Sequence, residues 1–275
     1  MLAVPPPYVS VEPLIWRDDA AIQGARTIPE ETAIALSYGR TTHAVMMATP
    51  ADLADFAAGF SLSEGIVRHK AEIEALDVVV LEDGIELRMD LAPERQAGLE
   101  RRRRRITGPG GCGLCGMDSL AEAIRPAPSV VSDAVFTAAD VQAAQAAMPA
   151  AQQLNAMTHA VHAAAFWTPH LGLVALREDV GRHNALDKLL GAMASSGHRA
   201  TDGIVLLSSR VSVEMVQKAC VLGAPVIVAV SAPTALAVRA AEAAGLTLIG
   251  IARSDAFEIF THPNRIMTGP VRHVA

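Results

Sequence analysis

Two groups of residues in this chain have side chains able to do chemistry. The first is Cys112-Gly113-Leu114-Cys115, two thiols separated by two residues. The second is Glu178-Asp179-Val180-Gly181-Arg182-His183-Asn184-Ala185-Leu186-Asp187-Lys188, a dense run of acids, bases and an amide. The thiol pair admits three readings. It is half of a structural zinc site, which needs four ligands and a second pair or histidines such as His159, His162 and His170 to complete it. It is a thioredoxin-like redox pair, which belongs at a helix N-terminus directly after a strand. Or it is a sulfur carrier, in which a thiolate takes the outer sulfur of a donor persulfide and carries it to an acceptor. A free cysteine of pKa about 8.5 is only a few per cent ionised at pH 7, and a drop of about 1.5 units makes half of it thiolate. Five consecutive arginines, Arg101 to Arg105, lie just upstream and favour that ionisation.

The surroundings of the pair set the reading. Thr107-Gly108-Pro109-Gly110-Gly111 precedes it and Gly116 follows, and so much glycine with proline holds neither helix nor strand. A loop carrying two thiols suits a group that must visit two partners in turn. A bare domain linker has the same composition but gains nothing from exposed thiols. The third cysteine, Cys220, shares a helical face with Val213 and Val216 and reads as an inert buried thiol.

The elements that must position these groups are legible in outline. Residues 1–30 read as an extended lead-in, since Pro5-Pro6-Pro7 excludes helix interior. Residues 34–38 and 42–47 form a hairpin around Gly39-Arg40, residues 51–66 a helix, and residues 78–81 and 85–89 a second hairpin. Residues 171–176 read as a strand and the stripe Leu186, Leu189, Leu190, Met193 as a helix. The polar string therefore falls at a strand-to-helix turn. It is either a solvated loop of salt bridges or the floor of a polar pocket, with Glu178 or His183 for proton transfer and Asn184 for recognition. His162 leads into an apolar run and has the same two readings, core histidine or site residue.

In the last third, residues 203–208, 225–231 and 246–251 are strands, separated by helices over 211–222 and 234–244. That alternation gives a parallel sheet with right-handed crossovers. Ligands of such sheets gather at the carboxyl ends of the strands. Those ends carry Ser208-Ser209-Arg210, Ser231-Ala232-Pro233-Thr234 and Arg253-Ser254-Asp255, which suit an anion such as phosphate. Ser209, Ser231 and Thr234 serve equally well as helix caps.

Composition bounds the rest. The chain has 275 residues, of which 51% are hydrophobic and 4% aromatic, with a net charge of -6. That supports one large domain or two modest ones and excludes a generic nucleic-acid binder. Three cysteines with one close pair exclude a disulfide framework. The N-terminus lacks the basic and apolar regions of a signal peptide, and no uninterrupted apolar run of membrane-spanning length occurs. The expected compartment is the cytoplasm, with no membrane and no nucleic-acid partner. The expected division is an N-terminal α+β region over 1–125 that ends in the cysteine loop, and an α/β cofactor-binding domain over 126–275.

Taken together, the motifs resemble the formate dehydrogenase accessory sulfurtransferases (FdhD). The matching strings are Val11-Glu12-Pro13-Leu14, Met46-Met47-Ala48-Thr49-Pro50, Gly59-Phe60-Ser61-Leu62-Ser63-Glu64-Gly65-Ile66, the cysteine pair with Gly116, the string from Glu178 to Lys188, Ser208-Ser209-Arg210-Val211-Ser212-Val213-Glu214-Met215, and Gly223-Ala224-Pro225. The resemblance implies a cytidine-deaminase-like α/β core with parallel strands and flanking helices, and a smaller N-terminal α+β region with hairpins. It implies an enzyme, a sulfurtransferase that relays sulfur from a cysteine desulfurase to the molybdenum bis-molybdopterin guanine dinucleotide cofactor for formate dehydrogenase. Persulfide would form on Cys112, assisted by Cys115, and no stable metal is held by the protein itself. GDP or GTP would mimic the bound client. The cofactor-binding residues would be Ala252, Arg253, Ser254, Asp255, Ala256 and Phe257, together with Ser209, Arg210, Glu178, Arg182, His183 and Asn184. The resemblance further implies a homodimer. Two competing functions are a non-catalytic cofactor chaperone and a zinc hydrolase of deaminase type, the latter disfavoured because no His-x-Glu precedes the pair.

Overall fold

The computed structural model describes residues 2–106 and 126–269. Cys112 and Cys115 lie outside the described residues, as do the side chains of Arg101 to Arg105. The chain forms β1 (Tyr8–Val11), β2 (Leu14–Arg17), β3 (Ala20–Gln23), β4 (Arg26–Pro29), β5 (Thr32–Tyr38), β6 (Thr41–Ala48), α1 (Leu53–Ser63), β7 (Ile73–Leu81), β8 (Gly84–Leu91) and α2 (Pro93–Ile106). After the cysteine segment come β9 (Phe136–Thr137), α3 (Ala138–Ala151), α4 (Gln153–Thr158), β10 (His162–Thr168), β11 (Gly172–Asp179), α5 (Arg182–Ser196), β12 (Ile204–Leu207), α6 (Val213–Leu222), β13 (Val226–Ala229), α7 (Ala235–Ala244), β14 (Thr247–Gly250), β15 (Glu258–Ile259) and β16 (Ile266–Met267).

The first half is built on a four-stranded sheet of order β6-β5-β8-β7. Alternation puts Ile34, Leu36, Tyr38, Ile85, Leu87 and Met89 on one face, where all are buried. The apolar face of α1, with Phe56 and Phe60, covers them. Both expected hairpins are present, and β7 starts earlier than its apolar run suggests. The lead-in is more ordered than an extended tail. There β1 pairs with β4 and β2 with β3, and the β2–β3 turn holds Asp18 and Asp19 at positive φ. Short polar side chains tolerate that conformation.

The second half is a six-stranded sheet of order β11-β10-β12-β13-β14-β15. The expected parallel sheet is its centre: β12, β13 and β14 run parallel. Antiparallel strands β10 and β11 flank it on one side and β15 on the other. The central strands are fully buried runs of Ile, Val and Leu because helices cover both faces. One face packs on α5, α6 and α7 through Phe166, Val205, Leu207, Ile227 and Leu248. The other packs on α3 through Val141, Ala144 and Met148. Helices α6 and α7 stop at Gly223 and Gly245, which take the left-handed conformation with φ of 83° and 74°. Among the described residues no helix is long and apolar enough to cross a membrane.

The two sheets meet where α1 crosses α5. A Cβ on Gly59 would stand 1.7 Å from the carbonyl oxygen of Asp187, and one on Gly191 1.9 Å from that of Asp55. Only two glycines allow this approach. Arg177 on β11 ties the first turn of α1, donating from Nε and Nη2 to Asp55 Oδ2 at 2.9 and 2.7 Å.

Candidate functional site

The polar string sits at the turn from β11 into α5, and the structure divides it into a buried part and an open part. Asp179 ends β11 and is fully buried. Its carboxylate accepts from Lys188 Nζ at 2.7 Å. It also accepts from the Gly181 amide at 2.7 Å, the Thr49 amide at 3.0 Å and Asn184 Nδ2 at 3.0 Å. Thr49 completes the knot from the first half: its hydroxyl accepts from the Val180 amide and its carbonyl from Lys188 Nζ. Asn184 gives its other bond to the Met47 carbonyl at 2.8 Å. A side chain at Gly181 would strike Asn184, since a Cβ there stands 2.8 Å from Nδ2.

One turn along α5 the pattern repeats. Lys218 on α6 donates to Asp187 at 2.7 and 2.9 Å and to Ser63 Oγ at 2.9 Å, and Ser63 donates to Asp187 at 2.7 Å. Burial pushes the Asp187 carboxyl above its ordinary value, and the Lys218 and Ser63 contacts act against that push. Each lysine also lies over an aromatic ring of α1, Lys188 over Phe56 and Lys218 over Phe60, both at 5.9 Å. These charges are neither a solvated loop nor a pocket floor. They are paired core groups that clamp α1 to α5 and α6, and a single missing partner would leave a charge stranded.

Glu178, on the opposite face of β11, is also committed to structure. Its two carboxylate oxygens accept from the amides of Leu154 and Asn155, both at 2.8 Å. An acidic side chain thereby satisfies the first amides of α4.

The open part is Arg182 and His183, the first two residues of α5. Arg182 Nε and His183 Nε2 are buried atoms with no hydrogen-bond partner among the described residues. Burial lowers the His183 pKa first, then the charges of Arg182, Lys218 and His162, while Glu214 alone opposes them. His183 Nε2 is 3.9 Å from Glu214 Oε2. His162, at the start of β10, is also lowered, by burial and then by Arg182.

The remaining sequence-predicted residues gather at the same sheet edge. Ala163 next to His162 exchanges bonds with Ser208, its amide donating to Ser208 Oγ at 2.8 Å and its carbonyl accepting from the Ser208 amide at 3.1 Å. Ser209 follows, buried, donating its hydroxyl to the Arg210 carbonyl, and Arg210 is exposed. Two strands over, after β14, Ala252 is buried and its amide donates to the Ala229 carbonyl at 3.0 Å. The Ala252 carbonyl accepts from Gln145 Nε2 at 3.0 Å. Arg253 folds its guanidinium back onto the carbonyls of Val230 and Ala252. Its amide closes a turn on the Ala256 carbonyl at 2.7 Å, leaving Ser254, Asp255 and Ala256 exposed and Phe257 packed against the lower core. Of the hydroxyls weighed as caps, Thr234 accepts from the Ala237 amide and caps α7.

Arg182, His183, Asn184, Ser209, Arg210 and residues 252–257 thus lie along the carboxyl ends of the parallel strands, whereas Glu178 is held at α4. Sequence reasoning gave no role to Glu214 or Lys218. Glu214 lies inside a quoted string, but only the packing of α6 against α5 brings it to His183. Cys220 is buried, and its surroundings push the thiol up to about 12.

The chain is 49% identical over 268 residues to the sulfur carrier protein FdhD of Agrobacterium fabrum, covering 97% of this chain and 99% of that one. It is 57% identical over 246 residues to the sulfur carrier protein FdhD of Brucella abortus, covering 89% and 91%. A solved structure of a candidate formate dehydrogenase accessory protein from Desulfotalea psychrophila shares the fold, with a TM-score of 0.75 and 24% identity over 95% of this chain and all of that one. The FdhD/NarQ family model matches residues 29–267, so the string from Glu178 to Lys188 and the strand-end edge both fall within it, and the chain belongs to the FdhD/NarQ family.

Proposed function

We propose that the chain is a cytoplasmic sulfurtransferase that carries sulfur as a persulfide on Cys112 to the bis-molybdopterin guanine dinucleotide form of the molybdenum cofactor, for use by formate dehydrogenase. The observation that carries the reading is the pair of buried nitrogens, Arg182 Nε and His183 Nε2, without a hydrogen-bond partner among the described residues and at the carboxyl edge of the parallel strands. Buried donors and acceptors are ordinarily paired, so such atoms mark a place for a ligand. They stand on the first turn of α5, where the helix dipole favours an anion. A phosphate of the nucleotide handle fits that donor set, with exposed Arg210 nearby. Residues 252–257 border the same edge two strands beyond Arg210, and in this reading they take the guanine end. The curated relatives named sulfur carriers support the sulfur role.

In the first step the Cys112 thiolate attacks the outer sulfur of the persulfide on a cysteine desulfurase. A new S–S bond forms, the donor's S–S bond breaks, and the desulfurase cysteine leaves as thiolate. In the second step the Cys115 thiolate attacks the Cys112 sulfur, a disulfide forms between the two, and hydrosulfide leaves for the client. A cellular dithiol then reduces the disulfide by two electrons. The partners in this reading are the desulfurase, formate dehydrogenase and a second copy of the chain.

The test is intact mass after incubation with a desulfurase and cysteine. The protein gains the mass of one sulfur atom, and Cys112→Ala gains none. Undiminished gain in that variant rejects the assignment. Formate dehydrogenase activity in a strain carrying Cys112→Ala and Cys115→Ala separates carrier from chaperone, since a chaperone would support full activity.

A further inference from the structure

We propose that the outer half of the N-terminal hairpin is an exchange arm. In a pair of copies, each arm lays Leu14 and Trp16 into a groove that α1, α5 and α6 form on the other copy. The proposal deepens the second-copy partner of the reading above and rests on that part of it, not on the sulfur relay.

Strands β1 to β4 are the two legs of one long hairpin. Tyr8–Val11 pairs with Arg26–Pro29 at its root, and Leu14–Arg17 with Ala20–Gln23 toward its tip. The Gly24 amide donates to the Pro13 carbonyl at 3.0 Å and Gln23 Nε2 to the Glu12 carbonyl at 2.7 Å, which joins the two ladders. In the outer half every residue of β3 is exposed, and all of β2 except Ile15. Alternation places Leu14 and Trp16 on one face, 69% and 72% exposed, and Ile22 on the other, 53% exposed. A two-stranded hairpin with both faces in water is marginal by itself. Large apolar side chains clustered in solvent mark a contact surface, and tryptophan is the strongest anchor of such contacts.

The same chain carries the complementary surface. A groove of about 420 Å³ opens where α1, α5 and α6 end. Its apolar lining is Leu62 from α1, Leu190, Met193 and Ala194 from α5, and Val221 and Leu222 from α6. Clefts of about 300–1,000 Å³ enclose a small ligand, so an indole and a leucine side chain have room. Arg68 and His198 also line the groove, and Lys70 stands beside it, donating to Ser195 Oγ at 2.5 Å. The carboxylates around it are engaged: Glu72 with Arg95, Asp202 with Arg199, and Glu64 and Asp187 with Lys218. Arg68 and Lys70 therefore offer uncompensated positive charge, since neither is ion-paired among the described residues. The arm brings the converse, because its exposed tip carries Asp18 and Asp19 against the single Arg17. Arm and groove are different surfaces of one chain, so a two-fold axis makes the contact twice. A buried tryptophan removes about 150–250 Å² from water. With Leu14, the matching floor and the two-fold repeat, the total reaches about 1,200 Å², enough for a stable pair. The groove lies at the end of α5 away from Arg182 and His183, so the arm does not compete for that site.

Sedimentation velocity of the full-length protein, from nanomolar to micromolar concentration, reads the pairing. The wild type is expected to be a dimer at micromolar concentration. Trp16→Ser removes the anchor and Ala194→Trp fills the groove, and both positions are exposed, so each variant keeps the wild-type circular dichroism spectrum. Each is expected to raise the dimer dissociation constant at least about thirtyfold for one contact, and about a thousandfold for the two-fold pair. Asp18→Lys with Asp19→Lys weakens the dimer about tenfold or more, and adding Arg68→Glu with Lys70→Glu to the same chain restores it. A dimer that keeps its affinity in both Trp16→Ser and Ala194→Trp overturns the arm and leaves the second copy as a partner. Dissociation by Trp16→Ser with full affinity in Ala194→Trp overturns the groove as the arm's seat. Charge reversal without rescue has the same meaning. A wild type that stays monomeric throughout the range overturns this proposal and the second-copy partner together, and leaves sulfur loading of Cys112 to its own test.

Discussion

The buried and open parts of the string from Glu178 to Lys188 use similar residue types to opposite ends. In the buried part, Asp179, Asn184, Asp187 and Lys188 are each hydrogen-bonded to two or more groups, and their partners come from both halves of the molecule. In the open part, Arg182 and His183 sit one turn away on the same helix with nitrogens that bond to nothing among the described residues. The first arrangement spends polar groups on fixing the position of a helix. The second leaves polar groups waiting at the end of that helix. A charged residue in a polar string is therefore no guide to ligand contact until its partners have been counted, since a group whose bonds are all made within the fold has none left for a ligand.

The sharpest way to break this distinction is to strip a charge from the buried part. Lys188→Met leaves Asp179 without its cation in a fully enclosed place, and a loss of about 3–5 kcal/mol in denaturant unfolding is expected. A loss below about 1 kcal/mol would show that the clamp is dispensable. The complementary change is Arg182→Gln. It should alter stability by less than about 1 kcal/mol, because no hydrogen bond from its Nε to the described residues is lost. It should weaken GDP binding by about tenfold or more, in line with the loss of a charge-assisted hydrogen bond. A variant destabilised by several kcal/mol that, while folded, still binds GDP as well as wild type would reverse the assignment.

The smallest effect supplies the yardstick for exposed charge. Glu72 is held down to about 2, first by the Arg95 guanidinium and then by the Arg68 amide. Its folded value is depressed, so its stabilisation is complete above the ordinary value of 4.5 and is lost as pH falls from there toward about 2. Because the pair lies at the surface, the change should stay under about 1 kcal/mol, and Arg95→Gln should abolish it. An acid limb as large as the Lys188→Met effect would erase the contrast between enclosed and exposed charge.

Much of the scaffold was legible in the sequence, for identifiable reasons. Strands β12, β13 and β14 are unbroken apolar runs punctuated by glycine and proline, and helix α1 has a strong apolar stripe. Helices α2 and α3 were not recognised. One is dominated by arginine and the other by alanine, so neither offers contrast between faces. The ribbon of β1 to β4 was read only as extended, since pairing is a long-range property that short mixed strands do not announce. The turn that bears the polar string was placed correctly. Its division was not, because the deciding partners are far away in sequence: Thr49 is 139 residues from Lys188, and Ser63 is 155 from Lys218. The strand-end edge followed from topology alone, yet the loop after β14 turns its arginine inward onto backbone carbonyls, a detail carried by no local pattern.

The meeting of Gly59 with Asp187, and of Gly191 with Asp55, has a mechanical corollary. Two helices whose backbones touch can neither slide nor swing without collision, so the pair behaves as a rivet between the two sheets. Any swing of one half against the other would have to break that backbone contact and the ion pairs beside it.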